Sequence, residues 1–296
     1  MVATVVVTYN RLSYLKNLIE SLRQQTYTDN HIIVINNSST DGTAEWLAEQ
    51  KDLDVVTQGN VGGAGGFFTG MKYAVEKGYD HVWAMDDDVL CRPDALAELM
   101  KAMEVRPEAG FVCSRVVGSN GDAQNTPGAD DRPAGEKYAD TYELVVPHGM
   151  VKVKAATFVS ILVPSRMIRE RGLPLRQFFI WGDDTEFTLR LSAVAPCYIA
   201  CKSEVTHLRK IQGTIQLATE RDPRRLAMLR YRVRNRYVYT RRWGTAGDVL
   251  KMFLGDVKNA AKLLFRLKLR QLAPLARGMW ETLWFHPRVE KVGKNR

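Results

Sequence analysis

Apolar residues in the N-terminal two thirds of the chain follow two alternating periods. Val2 to Thr8 is a β-branched run typical of a strand, and LSYLKNLIESLRQQ after it has apolar positions at helical spacing. Short apolar strands return at His31 to Ile35, Asp54 to Thr57 and His81 to Met85. The helical TAEWLAEQ and a helix from about Phe67 to Lys77 separate them. This alternation predicts an α/β fold with a mostly parallel sheet and helices on both faces.

A polar cluster follows each of these strands. Tyr9-Asn10-Arg11 follows the first and Asn36-Asn37-Ser38-Ser39 the second, while Asn60 with a group of glycines follows the third. Three consecutive aspartates, Asp86 to Asp88, follow the fourth. Ligands of open α/β sheets bind beyond the carboxyl ends of the strands, so these clusters form the candidate site.

The pattern is less regular in the second half. Further strands surround a Gly/Asp/Pro-rich loop at residues 118–137, which is either a mobile lid or a solvated insertion. The helical FTLRLSAV precedes a strand near Cys197 to Ala200 and the segment Val205 to His207. From Pro223 onward the sequence is helical and basic. We therefore expect an α/β domain at residues 1–217 and a basic helical region at residues 218–296.

Charge changes sign along the chain. Residues 1–202 hold 20 Lys and Arg against 26 Asp and Glu, a net of −6, and residues 203–296 hold 22 against 7, a net of +15. Such asymmetry predicts a polyanionic partner, either nucleic acid or an anionic lipid surface. The four cysteines show no CxxC spacing, which indicates reduced thiols in a cytosolic protein. No window has the roughly 18 apolar residues of a spanning helix, so we expect any membrane contact to be peripheral.

Asp86 and Asp88 leave the same face of the chain if the extended conformation continues past the strand. Together they can hold Mg²⁺ or Mn²⁺, which bridges diphosphate oxygens. The alternative is an ordinary acidic loop. No Lys or Arg lies between the aspartates and Arg92, and a bound cation would relieve their repulsion. His207 is either a further metal ligand or a structural residue.

The glycines of NVGGAGGF, which include Gly62 and Gly63, allow the backbone to approach a nucleotide closely, or they mark a tight turn. The segment contains neither GxGxxG nor a P-loop, so the sequence gives no main motif for an NAD-dependent enzyme or a kinase.

Asp183, Asp184 and Glu186 lie just before the helical FTLRLSAV. One of these carboxylates can act as general base on an acceptor hydroxyl, although acidic residues also favour the first turn of a helix. Trp181 beside them either stacks on a sugar ring or belongs to the core.

In combination these motifs resemble the family 2 glycosyltransferases of the GT-A fold, over most of residues 2–210. VVVTYNR, NNSSTDGT, NVGG, the aspartate triplet and Asp-Asp-x-Glu occur in that family's order. NVGGAGGFFTGM, AMDDDV and WGDDTEF are similar to segments of bacterial galactofuranosyltransferases, which use UDP-galactofuranose. The resemblance implies an inverting, metal-dependent transfer of a sugar from a UDP-sugar donor to a hydroxyl of a glycan or lipid-linked glycan in cell-wall or O-antigen biosynthesis.

The resemblance also implies roles for single residues. Asn36 would face the uracil, at a position where many relatives have an Asp. The rest of the nucleotide-sugar pocket would comprise Thr8, Asn10, Arg11, Asn60, Gly62, Gly63 and Asp87. The metal, Mn²⁺ or Mg²⁺, would be bound by Asp86, Asp88 and His207. Asp184 would be the catalytic base, with Asp183 as the alternative, and Trp181 and Glu186 would contact the acceptor.

The basic region has two parts. Eight arginines between Arg224 and Arg242 are interleaved with tyrosines, and apolar residues then recur at three and four positions beside a stripe of Lys and Arg. That amphipathic helix either lies in an anionic membrane interface or packs on the α/β domain. We expect a cytoplasmic protein held peripherally on the inner face of the bacterial plasma membrane. No nucleic-acid module is visible, so nucleic acid is not an expected partner.

Two alternative functions fit part of the pattern. A rhamnosyltransferase that uses dTDP-rhamnose would keep the chemistry and change the donor. A nucleotidyltransferase would be expected to carry a glycine-rich loop with a basic residue in its first βα turn, where this chain has TYNRLSY.

Overall fold

The computed structural model of the chain describes residues 1–131, 138–208 and 217–293. In these residues the strands are β1 (Val2–Thr8), β2 (Asn30–Asn36), β3 (Leu53–Thr57), β4 (His81–Asp86), β5 (Val89–Cys91), β6 (Val112–Gly118), β7 (Gly128–Ala129), β8 (Met150–Ala155), β9 (Ile161–Pro164) and β10 (Tyr198–His207). The helices are α1 (Leu12–Arg23), α2 (Thr43–Ala48), α3 (Gly62–Glu76), α4 (Ala95–Val105), α5 (Tyr138–Val145), α6 (Ser165–Arg171), α7 (Asp183–Ser192), α8 (Pro223–Trp243), α9 (Ala246–Phe265) and α10 (Leu269–Glu281).

The sheet has the strand order β3-β2-β1-β4-β9-β6-β10-β8-β7, and β5 pairs with β10. Strands β1 to β4 run parallel, as do β6 and β10. Strand β9 enters antiparallel between β4 and β6. The predicted α/β fold is confirmed, and its antiparallel pairs lie where the sequence pattern was least regular.

Side chains of β1 alternate between two apolar cores. Val6 packs with Leu18 of α1 on one face of the sheet, and Val5 packs with Met71 of α3 on the other. Each fully buried aliphatic side chain of this kind contributes about 1.5–3 kcal/mol. Helices therefore cover both faces, as the sequence predicted, and the carboxyl ends of the parallel strands stay open for a site.

Two predicted helix boundaries were wrong by four or five residues, because the glycines and acids at their starts belong to the helices. Helix α3 begins at Gly62 rather than near Phe67. A Cβ at Gly66 would lie 2.3 Å from a methyl of Val7, so glycine lets α3 lie close against β1. This packing outweighs the low helix propensity of glycine. Helix α7 begins at Asp183, which places both candidate base residues in its first turn.

Helix α8 and the segment after α10 are bonded to the α/β part. The backbone N–H of Leu173 donates to the carbonyl of Glu290 over 2.8 Å, and the Glu290 side chain accepts from Arg176 Nε, also over 2.8 Å. The division at residue 217 therefore stays a proposal about folding units. Part of the 118–137 loop, residues 132–137, lies outside the described residues, as do residues 209–216.

Candidate active site

A cleft of about 630 Å³ lies at the carboxyl ends of the parallel strands. Strands β1 and β4 are in register, with Val7 beside Asp86, so the loop after β1 and the aspartates after β4 meet at this edge. Of the predicted site residues, the cleft wall includes Thr8, Arg11, Asn60, Gly62, Gly63, Asp86, Asp87, Asp88, Trp181, Asp183, Asp184 and His207. The structure thus gathers residues that are up to two hundred positions apart.

Asp86, Asp88 and His207 form the candidate metal centre. One ligand atom from each lies within 4.8 Å of the others. The antiparallel pairing of β10 with β5 sets His207 opposite Val89, the residue after Asp88. His207 Nε2 lies 3.2 Å from Asp88 Oδ1, and Nδ1 lies 2.9 Å from the side-chain oxygen of Asn125, which orients the ring. Two carboxylates and one imidazole make a donor set that fits a divalent cation.

Arg11 corrects the picture of an uncompensated aspartate triplet. Its guanidinium comes from the loop after β1 and pairs with Asp87, at 3.2 Å, and with Asp88, at 2.5 Å. Thr8 Oγ1 donates to the other oxygen of Asp87 over 2.7 Å. The sequence did not indicate this ion pair, because Arg11 lies more than seventy positions before the acids that it neutralises. Both oxygens of Asp87 are engaged, so this residue holds Arg11 in place.

Electrostatics differ among the three aspartates. Burial, followed by the charges of Asp88 and Asp87, raises the pKa of Asp86 well above the usual carboxyl range. Burial also raises the pKa of Asp87, to about 6, although Arg11 and Thr8 oppose it. Burial would raise the pKa of Asp88 as well, but His207 and Arg11 outweigh it and lower the pKa. A cation bound between Asp86 and Asp88 would therefore relieve the repulsion that remains at Asp86.

Two of the predicted nucleotide contacts lie elsewhere. Asn36 is fully buried and is not part of the cleft wall, and its side-chain oxygen accepts from the N–H of Ser39. The neighbouring Asn37 faces the cleft instead, because successive residues of an extended chain point to opposite sides. Asn10 bridges two loops, since its side-chain oxygen accepts from the N–H of Thr40 over 2.6 Å. The sequence pattern contained both asparagines after β2 and did not distinguish them.

Gly62 makes room for the segment that carries the candidate base. Its φ is +75°, and a Cβ there would lie 2.0 Å from the carbonyl oxygen of Phe179. The same oxygen accepts from the N–H of Ala64 over 3.1 Å, and Asn60 caps the turn by accepting from the N–H of Gly62. The glycines therefore serve two purposes. Gly62 and Gly66 allow close packing, and Gly63 leaves the wall open, because a Cβ there would have no atom within 4 Å.

The turn formed by residues 178–182 is strained and held from α8. Phe179 and Trp181 have φ of 65° and 64°, values that non-glycine residues rarely adopt. Asn235 of α8 is fully buried and its Nδ2 donates to the carbonyls of Phe178, Ile180 and Trp181 over 3.0, 3.1 and 2.8 Å. Sequence analysis missed Asn235, because nothing in an arginine-rich helix marks one asparagine as different.

Asp183 and Asp184 occupy the first turn of α7, directly after the 178–182 turn. Burial, with a smaller contribution from Asp184, raises the pKa of Asp183 to about 8. Burial also raises the pKa of Asp184, but the N–H and hydroxyl of Thr185 donate to its Oδ1 over 2.6 and 3.2 Å and oppose that rise. Near neutral pH, Asp183 is thus the protonated member of the pair and Asp184 the better candidate for the ionised one.

Glu186 does not lie where an acceptor could reach it. Its side chain is fully buried, and its two oxygens accept from Arg190 and Arg242 over 3.0 Å each. The expectation of an acceptor contact is therefore wrong in this structure. Glu186 instead joins α7 to α8, because one partner, Arg190, lies one turn further along α7 and the other, Arg242, comes from α8, 56 residues away.

Comparison with known proteins identifies relatives of this chain. Residues 4–162 match the family described as glycosyl transferase family 2. Galactofuranosyltransferase GlfT1 of Mycobacterium tuberculosis is 36% identical over 124 residues, 38% of this chain and 40% of that protein. Undecaprenyl-phosphate mannosyltransferase of Micrococcus luteus is 30% identical over 107 residues, 34% of this chain and 44% of that protein. The chain thus spans about two fifths of the curated relatives that it matches.

Solved structures with the same fold include mannosyltransferase PcManGT from Pyrobaculum calidifontis in complex with GDP-Man and Mn²⁺. That likeness has a TM-score of 0.54 at 14% identity and covers 96% of this chain and 87% of that one. GalNAc-T7 with UDP, GalNAc and Mn²⁺ gives a TM-score of 0.58 at 14% identity, over 85% of this chain and 54% of that one. At such low identity these likenesses show the fold alone.

Proposed function

This chain belongs to glycosyl transferase family 2, and we propose that it transfers galactofuranose from UDP-galactofuranose to a hydroxyl of a lipid-linked bacterial surface glycan, with inversion. The observation that carries the proposal is the meeting of Asp86, Asp88 and His207 in one cleft with Asp184. The relatives named galactofuranosyltransferase support the choice of donor.

Residues of the cleft wall would hold the donor. Asn60 and the partly exposed backbone at Gly63 offer hydrogen-bonding groups to a uridine diphosphate, and the buried Asn37 lines the same wall. Arg11, fixed by Asp87, places a positive charge beside the aspartates. A divalent cation held by Asp86, Asp88 and His207 would supply charge neutralisation for the leaving diphosphate. Mn²⁺ suits the imidazole ligand better than Mg²⁺, which prefers oxygen alone.

Asp184 would act as the general base. Its carboxylate lies in the cleft wall, and the two hydrogen bonds from Thr185 favour the charged form that would accept the proton of the attacking hydroxyl. Trp181 lies in the same wall and would stack on the acceptor sugar. Attack from the face opposite the diphosphate breaks the bond to the anomeric carbon as the new bond forms, so one displacement inverts the configuration.

Peripheral contact with a membrane fits the outer face of α9. Within the described residues, no helix is both long and apolar enough to cross a bilayer. On α9, however, Leu250, Phe253, Leu254, Val257 and Leu264 are all exposed, at positions that share one helix face. We propose that this face enters the interface of an anionic membrane, on the inner surface of the bacterial plasma membrane, where a lipid-linked acceptor would be located.

The donor proposal is tested by thermal shift and by product analysis. UDP with Mn²⁺ should raise the melting temperature, and dTDP should do so much less. Incubation with UDP-galactofuranose and lipid-linked galactosides should add one or more hexose units by mass and release UDP, and Asp86→Ala should abolish both effects.

Other outcomes would replace the proposal. A larger shift with dTDP, and transfer from dTDP-rhamnose, would indicate a rhamnosyltransferase. Release of pyrophosphate in place of a nucleoside diphosphate would indicate a nucleotidyltransferase. Activity that survives both Asp86→Ala and Asp184→Ala would rule out the assigned site.

A further inference from the structure

A second depression lies beside the active-site cleft, between α8 and α10. It has a volume of about 890 Å³ and is called the arginine groove here. Its apolar wall consists of Pro223, Leu226, Ala227, Met228, Ala273 and Pro274. Phe179 and Tyr231 also line it, together with four arginines, Arg221, Arg230, Arg270 and Arg277. The volume is typical of a small-molecule site.

The positive charge of the arginine groove is only partly neutralised. Arg230 and Arg277 share one carboxylate, Glu281, at 3.5 and 2.8 Å. Arg221 and Arg270 are exposed, and among the described residues neither side chain has an acidic partner. Arginines that are not paired within a protein are well suited to bind phosphate oxygens, because the planar guanidinium can donate two hydrogen bonds at once.

The arginine groove adjoins the active site. Phe179 and Met228 line both the groove and the cleft that contains Asp184. Phe179 lies in the strained 178–182 turn, two residues before Trp181. A molecule held in the groove could therefore extend past Phe179 and present its far end to the base.

We propose that the arginine groove binds the diphosphate and the first isoprenoid units of a prenyl-diphosphate-linked acceptor. This inference rests on the proposed function and adds the location and chemistry of the acceptor's lipid end. Apolar walls match an isoprenoid chain, and the arginines match a diphosphate. The donor's diphosphate needs a cation and aspartates, which the groove does not contain, so donor and acceptor phosphates occupy separate places.

The probe is farnesyl diphosphate, which has the diphosphate and the chain but no sugar. Binding is measured by calorimetry in EDTA, so that no cation at the aspartates can hold the phosphates. We expect farnesyl diphosphate to bind far more tightly than farnesol or inorganic pyrophosphate, because each of these retains only half of the recognised groups. Arg221→Gln/Arg270→Gln should weaken binding roughly tenfold or more.

Two further variants identify the source of any loss. Lys262→Gln/Arg266→Gln removes the same charge from α9, outside the groove, and should change the affinity less than about threefold. Ala273→Trp fills the space beside the apolar wall and should weaken the binding of farnesyl diphosphate without a change in net charge. Each variant should keep the wild-type thermal shift with UDP and Mn²⁺, which confirms that the cleft is folded.

The outcomes separate this inference from the proposed function. If the two double variants lose affinity for farnesyl diphosphate equally, general charge attraction explains the binding, and the proposed groove site is overturned. If farnesol binds as tightly as farnesyl diphosphate, the site is overturned too, because farnesol has no phosphate for an arginine to bind. Absence of farnesyl diphosphate binding with a normal response to UDP and Mn²⁺ would overturn the groove alone. A missing response to UDP and Mn²⁺ in the wild-type protein would count against the proposed function instead.

Discussion

Asp183 and Asp184 are adjacent in sequence, yet their side chains have different surroundings. Asp183 is 6% exposed and its pKa is raised by burial to about 8, so it carries a proton at pH 7. Asp184 is half-buried and accepts two hydrogen bonds from Thr185, which favour its charged form. Two acids whose environments separate their protonation states can take separate roles.

Asparagine substitutions test this assignment, because an amide resembles a protonated carboxyl group. Asp184→Asn removes the base and should lower kcat about 10²–10⁴-fold while UDP and Mn²⁺ still bind. Asp183→Asn replaces a group that is already neutral and should lower kcat less than about tenfold. Steady-state kinetics at pH 7 measure kcat for both variants and so identify the base. The opposite ranking of the two variants would make Asp183 the base.

Asp183 also predicts a pH dependence of stability. Its pKa is about 8 in the folded chain and about 3.9 when unfolded. Between these values unfolding releases a proton, so the free energy of unfolding falls as pH rises, on the order of 1 kcal/mol per pH unit. Asp183→Asn removes this titration. The melting temperature of the variant should therefore rise relative to that of the wild-type protein from pH 5 to pH 8. A constant difference over that range would contradict the assigned pKa.

Local pattern was informative for residues that follow strands and uninformative for residues paired across the fold. Asp86 and Asp88 do come together, although the chain turns at residues 87 and 88 instead of staying extended, and β10 brings His207 to them. The pairing of Arg11 with Asp87 and that of Arg242 with Glu186 were missed, because the partners come from distant parts of the chain. Spacing along a sequence carries no information about such pairs.

Helix α8 is the element that connects the basic region to catalysis. Its arginines were expected to face a polyanion, but several bind acids inside the protein, such as Arg242 with Glu186 and Arg236 with Asp256. Asn235 on the same helix holds the 178–182 turn, and Tyr239 lies 3.1 Å from where a Cβ of Gly182 would be. The position of the candidate base therefore depends on a helix that follows it by about fifty residues.

Asn235→Ala should separate this positioning from binding. Three carbonyls of a strained turn would lose their donor, and we expect kcat to fall roughly ten- to hundredfold because Trp181 and Asp184 shift. The affinity for UDP with Mn²⁺ should stay within about twofold of the wild-type value. Arg224→Ala, on the exposed start of α8, is the matched control and should change neither quantity. A lower melting temperature with unchanged kcat would show that Asn235 serves stability alone.

Helix α3 shows why periodicity located elements better than it located their ends. The apolar spacing after residue 67 predicted the helix, and the glycines before it indicated a loop. In the folded chain those glycines are helical, and Gly66 lets α3 pack on the sheet, because a Cβ there would collide with Val7. The free-energy cost of glycine in a helix is small compared with the stabilisation from packing a helix on a sheet. The packing is visible only in the tertiary structure.

The whole molecule separates its charges by function. The acidic part surrounds a cleft that would bind a cation, and the basic part contains both the arginine groove and the exposed face of α9. Phe265 and Leu267, at the end of that face, are 90% and 82% exposed. Large apolar side chains seldom remain so open in a contiguous patch unless another surface covers them. Lys258 and Lys262 on the same helix, and Arg266 directly after it, have positive charges that favour an anionic surface.

Cosedimentation with lipid vesicles tests this surface. The protein should bind vesicles with 30% anionic lipid and should be released as salt rises, because each nearby cation contributes about 1 kcal/mol at low salt. Phe253→Ser/Phe265→Ser removes apolar area without changing charge and should weaken binding at every salt concentration. Tyr142→Ser/Val146→Ser, at exposed apolar positions of α5 and just after it, is the matched control. If both pairs weaken binding equally, non-specific hydrophobic adsorption explains the result. If only the α9 pair does, the membrane lies against that helix.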